Sequence, residues 1–167
     1  MLKRAIAGAV ALVTLGSGAA LSAEAQATVM DRDAVALGTV SVVDTPSGMA
    51  HVLISLTNVT AGVHAIHLHE IGDCSADDFT SAGGHISEGA THGVLTRDGP
   101  HPGDMPNATV QVDGALQAEF FLPDFDVTGM LRDEDGAAFV MHEGADDYES
   151  QPAGSAGPRI ACGAFTN

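Results

Sequence analysis

The segment Val63-His64-Ala65-Ile66-His67-Leu68-His69-Glu70 constrains this chain more than any other, because it sets three histidines among apolar residues in a strand-like alternation. Side chains two apart on a strand share a face at about 6.5 Å spacing, so His67 and His69 point the same way and can both reach one metal ion. The other register holds His64, Ile66 and Leu68, a set expected to face the core with His64 as a hydrogen-bonded core residue. Of the eight histidines, His51 stands upstream, and His85, His92, His101 and His142 follow in an acidic, Gly-rich span.

Around this segment the pattern is mostly β. Short runs rich in β-branched residues recur at 39–43, 50–56, 63–69, 108–112, 115–122, 137–142 and 159–165. Pro46-Ser47-Gly48, Asp113-Gly114 and Asp135-Gly136 supply turns between them. No stretch carries a convincing helical stripe, so the pattern predicts a β-sandwich or a small barrel.

Residues 1–25 read as a secretory leader. Lys3 and Arg4 precede an apolar run over 5–15 that is too short to span a bilayer, and Ala23-Glu24-Ala25 suits a leader peptidase. The remaining residues, 26–167, are one domain long enough to bury a core, without repeat or linker. Taking Lys3, Arg4 and Glu24 from the six basic and 22 acidic residues leaves four arginines against 21 carboxylates, a formal charge of −17 with no lysine. Such a charge excludes nucleic acid and anionic membranes as partners, because phosphate binding needs clustered Lys and Arg. No tryptophan and one tyrosine are present, so no aromatic patch announces an interface, and monomer and homodimer both stay open. Export, to the periplasm or beyond, makes a disulfide the expected state of Cys74 and Cys162. Ligation of a metal by these cysteines is the weaker reading, since neither belongs to a Cys-x-x-Cys pair.

Between residues 72 and 107 the strand pattern stops for about 35 residues, a length that usually signals function. A second irregular stretch covers 143–158. In the first, His85, His92, His101 and Asp104 provide three imidazoles and a carboxylate, a sufficient tetrahedral set for zinc. His67, His69 and His142 form an all-nitrogen set that suits copper, though zinc, iron and nickel accept imidazole as well. An imidazole has two ring nitrogens, so one histidine could bridge two metals.

Five linked motifs carry a resemblance: His67-Leu68-His69-Glu70 with Gly72-Asp73, Ser81-Ala82-Gly83-Gly84-His85, His101-Pro102-Gly103-Asp104, Val140-Met141-His142-Glu143-Gly144-Ala145-Asp146-Asp147, and Gly157-Pro158-Arg159-Ile160-Ala161-Cys162-Gly163. From about residue 34 to 165 the chain resembles the copper/zinc superoxide dismutases, most closely the exported bacterial type. The resemblance implies an eight-stranded Greek-key β-barrel with two long loops that hold the metals outside it. It implies His67, His69, His85 and His142 as copper ligands and His85, His92, His101 and Asp104 as zinc ligands, His85 being the bridge. Asp146 matches the carboxylate that orients one ligand of each metal, and Arg159 the arginine beside the open copper position. Cys74 and Cys162 match the family's disulfide. The activity implied is dismutation of superoxide to dioxygen and hydrogen peroxide, with Arg159 and His85 as the catalytic residues.

Two features depart from the family pattern. The interval from His85 to His92 is shorter by a residue or more, which predicts a different path for the zinc loop or a weaker His92. Where relatives often place lysines near the copper channel, this chain reads Tyr148-Glu149-Ser150-Gln151-Pro152-Ala153. The alternative function is a non-enzymatic periplasmic copper/zinc-binding protein on the same fold, which would have no need of Arg159 or of a bridging histidine.

Overall fold

The computed structural model describes residues 24–166, so the expected leader lies outside it apart from Glu24 and Ala25. These two residues open β1 (Glu24–Asp31), in which Ala25, Ala27 and Val29 are buried and Glu24, Gln26 and Thr28 are exposed. The sequence pattern gives no strand here. The alternation is present, but two of its three inward positions are alanine, which carries little β signal.

β2 (Ala36–Asp44) and β3 (Met49–Leu56) form a hairpin about the expected turn, where Gly48 adopts φ 83°. The expected strand over 63–69 is divided at Ala65 into β4 (Gly62–His64) and β5 (Ile66–His69). Ala65 donates its amide to Gly144 O at 2.8 Å and accepts from the His142 amide at 2.9 Å. At this residue the chain changes partner, leaving β6 (Ala108–Val110) and joining β8 (Ala138–His142). β7 (Leu116–Pro123) and β9 (Arg159–Thr166) complete the set. One short helix, α1 (Val127–Leu131), is capped by Asp126, which accepts from the Thr128 amide, and buries Val127 and Leu131.

All ladders are antiparallel. The main sheet runs β5-β8-β9-β1-β2-β3-β7, and β4 pairs with β6. Counting β4 and β5 as one interrupted strand gives the expected eight among the described residues. That strand joins the β8 end of the sheet to β6, and β6 turns through Asp113-Gly114 into β7 at the other end. The sheet thus curls around a single core that includes Val40, Val52, Ile54, Leu68, Phe139 and Met141. This is the all-β Greek-key architecture the resemblance implies.

β8 is buried on both faces, which sets the position of the site. Phe139 and Met141 enter the core, while Ala138 and Val140 face outward into a smaller apolar cluster with Phe79, Ala82 and Cys162. The Cys74–Cys162 disulfide, with Cα atoms 5.9 Å apart, pins the start of the first loop over this outer face.

Candidate metal centre

β5 is an edge strand of the main sheet, and its open side is where the first loop docks. Leu68 donates to Gly103 O and accepts from the Ile86 amide, both at 2.9 Å, and Glu70 donates to Gly84 O at 3.0 Å. These bonds set His85 directly opposite His69, and Asp104 opposite His67. Gly103 is required for the approach, because a Cβ there would run into Leu68 O. In β5 itself, His67 and His69 pair with Val140 and Ala138, on the outward face, while Leu68 pairs with the core residue Phe139. His64 keeps the opposite parity. Its Nδ1 meets His142 O at 2.8 Å and its Nε2 meets Thr60 O at 2.9 Å, so it is the hydrogen-bonded core histidine expected.

The four histidines of the first set behave differently, for each has one ring nitrogen engaged and the other bare. His67 Nε2 donates to Asp146 Oδ2 at 2.8 Å, and His69 Nδ1 and His142 Nδ1 donate to Gly83 O and Gly157 O at 3.0 Å. His85 Nδ1 donates to Asp104 Oδ1 at 2.8 Å. His67 Nδ1, His69 Nε2, His85 Nε2 and His142 Nε2 are buried without a hydrogen-bond partner, and each of these four side chains brings a ring nitrogen within 4.8 Å of the others. Leaving a buried polar atom unsatisfied costs about 1–3 kcal/mol each. Four such lone pairs on four clustered imidazoles suit a cation that prefers imidazole, as copper does. Burial holds His67 and His142 down to a pKa of about 4 and His69 to about 2, so all three imidazoles are neutral at pH 7 and free to offer a lone pair.

A second set adjoins the first. Asp104 Oδ1 lies 2.8, 3.1 and 3.2 Å from the Nδ1 atoms of His85, His92 and His101, and His101 Nδ1 lies 3.4 Å from His85 Nδ1. The edge of a tetrahedral zinc site with bonds near 2.0 Å is about 3.3 Å, and these separations cluster around it. His92 has both ring nitrogens against carboxylate oxygens, Nδ1 on Asp104 and Nε2 on Asp146 Oδ1 at 3.0 Å. A neutral imidazole has one N–H to give, so one of these contacts calls for a cation. By distance alone His67 would join His85, His92 and Asp104. Its Nε2 is taken by Asp146, however, and its bare Nδ1 faces the first set, so the chemistry favours His101. Despite the short interval, His92 is fully buried and within reach of the others.

Both carboxylates stay ionised for the same reason. Burial would raise them, but for Asp104 this is outweighed by hydrogen bonds from His85 and from the Gly93 and His101 amides, which hold it well below the usual range. For Asp146 the opposing bonds come from His67, the Tyr148 amide and His92, and its pKa falls to about 2. Asp146 thus joins one histidine of each set through its two oxygens.

Arg159 sits beside the first set. Its two terminal nitrogens donate to Phe79 O and Gly83 O, both at 2.7 Å, and Gly83 O is the oxygen that also orients His69. Partial burial lowers the guanidinium pKa, with Asp78 opposing, and leaves it charged at any working pH. These carbonyl supports, with Gly157 O, escape a sequence reading because every residue has a carbonyl and no residue type marks it. Phe79 adopts a left-handed conformation, φ 60° and ψ 19°, which no local pattern signals either.

Residues 36–165 match the family model described as copper/zinc superoxide dismutase. A superoxide dismutase [Cu-Zn] of Caulobacter vibrioides is 41% identical over 146 residues, 83% of each chain. Among solved structures, a SOD-like protein from Bacillus subtilis superposes with TM-score 0.80 at 33% identity, covering 84% of this chain and 97% of that one. Cu/Zn superoxide dismutase from Brucella abortus superposes with TM-score 0.71 at 26% identity, covering 86% and 100%. Copper and zinc are therefore the metals to which the two donor sets are suited, and the chain belongs to the copper/zinc superoxide dismutase family.

Proposed function

We propose that the protein dismutates superoxide, with His67, His69, His85 and His142 holding copper and His85, His92, His101 and Asp104 holding zinc. The observation that carries this reading is Arg159. A protein that only stores metal needs imidazoles, whereas a guanidinium fixed by Phe79 O and Gly83 O beside them serves a small anion. Copper, when bound, supplies the one-electron exchange that oxidises one superoxide to dioxygen and reduces the next to peroxide.

The protein's own groups do the rest. Arg159 attracts and orients the anion at short range. Gly83 O and Gly157 O fix the tautomers of His69 and His142 so that Nε2 is the bare nitrogen in each. His85 presents Nε2 to the first set and Nδ1 to the second, and Nε2 can hold a proton for the product when it carries no metal. Asp146 keeps His67 and His92 in fixed relation. The disulfide and the leader-like N-terminus support action outside the cytoplasm, in the periplasm or beyond.

A second reading, a copper/zinc-binding protein without dismutase activity, takes support from the SOD-like relative in Bacillus subtilis. Pulse radiolysis of the metal-loaded protein separates the two: superoxide decay that is catalytic and abolished by cyanide, a copper ligand, is expected. Absence of catalysis with both metals bound leaves the storage reading.

The salt dependence of that rate follows from the charge. A surface at −17 repels superoxide at a distance, and salt screens this term over about 8–10 Å while leaving close contacts largely intact. Arg32 adds one nearby cation, since its Nε donates to Arg159 O at 2.9 Å. Asp78 opposes it beside Arg159. The rate constant is expected to stay flat or rise as salt is added. A steep fall would show that attraction dominates the approach.

A further inference from the structure

His92 belongs to the first loop, yet much of what fixes it comes from the second. Gln151 Oε1 accepts from the His92 amide at 3.0 Å, and Gln151 Nε2 donates to the His92 carbonyl at 2.8 Å and to Glu149 O at 3.0 Å. A side-chain amide paired with the N–H and the C=O of one residue matches one donor and one acceptor on each side, as a neighbouring strand would, and so restrains the two peptide units that flank the His92 Cα. The imidazole is held at the same time by Asp146 Oδ1. Three residues further on, the Leu95 amide donates to Tyr148 O at 3.2 Å. Gly154, at φ 67°, closes over the Asp146–His92 contact, where a Cβ would come within 2.8 Å of His92 Nε2.

We propose that Gln151 is the positioning residue for His92, and that through it the order of the second loop sets the affinity of the zinc half. This rests on the assignment of His92 to zinc made above. The first loop supports His92 through the Thr96 hydroxyl on its carbonyl, and Gln151 adds a hold from the facing loop that reaches the amide as well. Linkage makes the effect reciprocal, so zinc binding orders residues 148–154 as much as their order favours zinc.

Removing the Gln151 amide leaves the His92 carbonyl with the Thr96 hydroxyl at 3.0 Å but deprives the His92 amide of its partner. Gln151→Ala and the near-isosteric Gln151→Met, which keeps the packing if the alanine variant does not fold, are compared in the mature protein. Zinc and copper affinities are measured by chelator competition, with Asp104→Ala as the reference for zinc loss and Gln117→Ala, on the outer barrel face, as the control. Loss of a partner to a metal ligand typically weakens affinity about 10- to 100-fold, and that loss is expected for zinc with copper changed by less than about threefold. Zinc added to the wild-type protein should also slow amide exchange over 148–154, and should not do so in Gln151→Met.

Zinc affinity within about threefold of wild type in both Gln151 variants, with zinc lost in Asp104→Ala, overturns the proposal and leaves the zinc assignment standing. Unchanged zinc affinity in Asp104→Ala overturns the assignment and the proposal with it. Equal weakening of zinc and copper overturns it in favour of a general loss of loop order.

Discussion

His85→Ala is expected to abolish dismutase activity and to weaken both metals, each by more than about 100-fold, the upper range for losing a partner that merely orients a ligand. The expectation follows from the two nitrogens of one ring. Nε2 points among the bare nitrogens of His67, His69 and His142, and Nδ1 lies 2.8 Å from Asp104 in the other set. By distance His67 also falls in both sets, but its Nε2 is taken by Asp146 and only its Nδ1 is bare, so it has no second nitrogen to offer. Asp146 touches both, but from outside and through His67 and His92. His64→Ala is the matched comparison, because it deletes a buried imidazole of the adjoining strand whose nitrogens already have carbonyl partners. It should keep both metals and cost about 2–4 kcal/mol of stability, from a cavity and an abandoned carbonyl acceptor. Metal analysis of the dialysed proteins and urea unfolding check both outcomes. Equal metal loss in the two variants would remove the division of the segment into a metal face and a core face.

That division was legible because period-two alternation survives the interruption at Ala65. His64 and Leu68 keep inward parity and His67 and His69 outward parity, although β4 and β5 pair with different strands. The interruption itself was not legible. It is made by Gly144 and His142 reaching Ala65 from nearly 80 residues away, and nothing in the segment differs from a continuous strand. β1 was missed for a related reason: Ala25 and Ala27 fill inward positions where neighbouring side chains, not their own, supply the bulk. In the site, residue types announced the histidines and Asp104, and the resemblance singled out Asp146 and Arg159. Which nitrogen of each ring is bare could not be read, since it depends on the carbonyls of Gly83 and Gly157 and on the Asp146 carboxylate. The role of Gln151 was hidden in the same way, as a contact between two irregular loops with no periodicity to betray it.

Breaking the Cys74–Cys162 bridge should produce the largest change in stability. The bond closes a loop of about 89 residues, for which the chain-entropy account gives about 4–5 kcal/mol, at the upper end of what disulfides contribute. In a domain of this size that corresponds to a fall in Tm of roughly 10–20 °C. A local effect is added to the entropic one. Cys162 is fully buried on β9, and Cys74 ties to it the stretch that leads to Phe79 and Gly83, whose carbonyls hold Arg159 and, at Gly83, also His69. The same stretch runs on into His85. The double variant Cys74→Ser with Cys162→Ser should therefore lose thermal stability and bind zinc less tightly, and its remaining activity should fall through Arg159 even with copper restored. Calorimetry and chelator competition measure the first two, and catalysis at saturating copper measures the third. Two free thiols in the native, unreduced protein would dispose of the bridge. A variant with wild-type zinc affinity and activity but a lowered Tm would show instead that the bond acts on the unfolded chain alone, and that Phe79 and Ala82 packed on Ala138 and Val140 suffice to hold the loop in place.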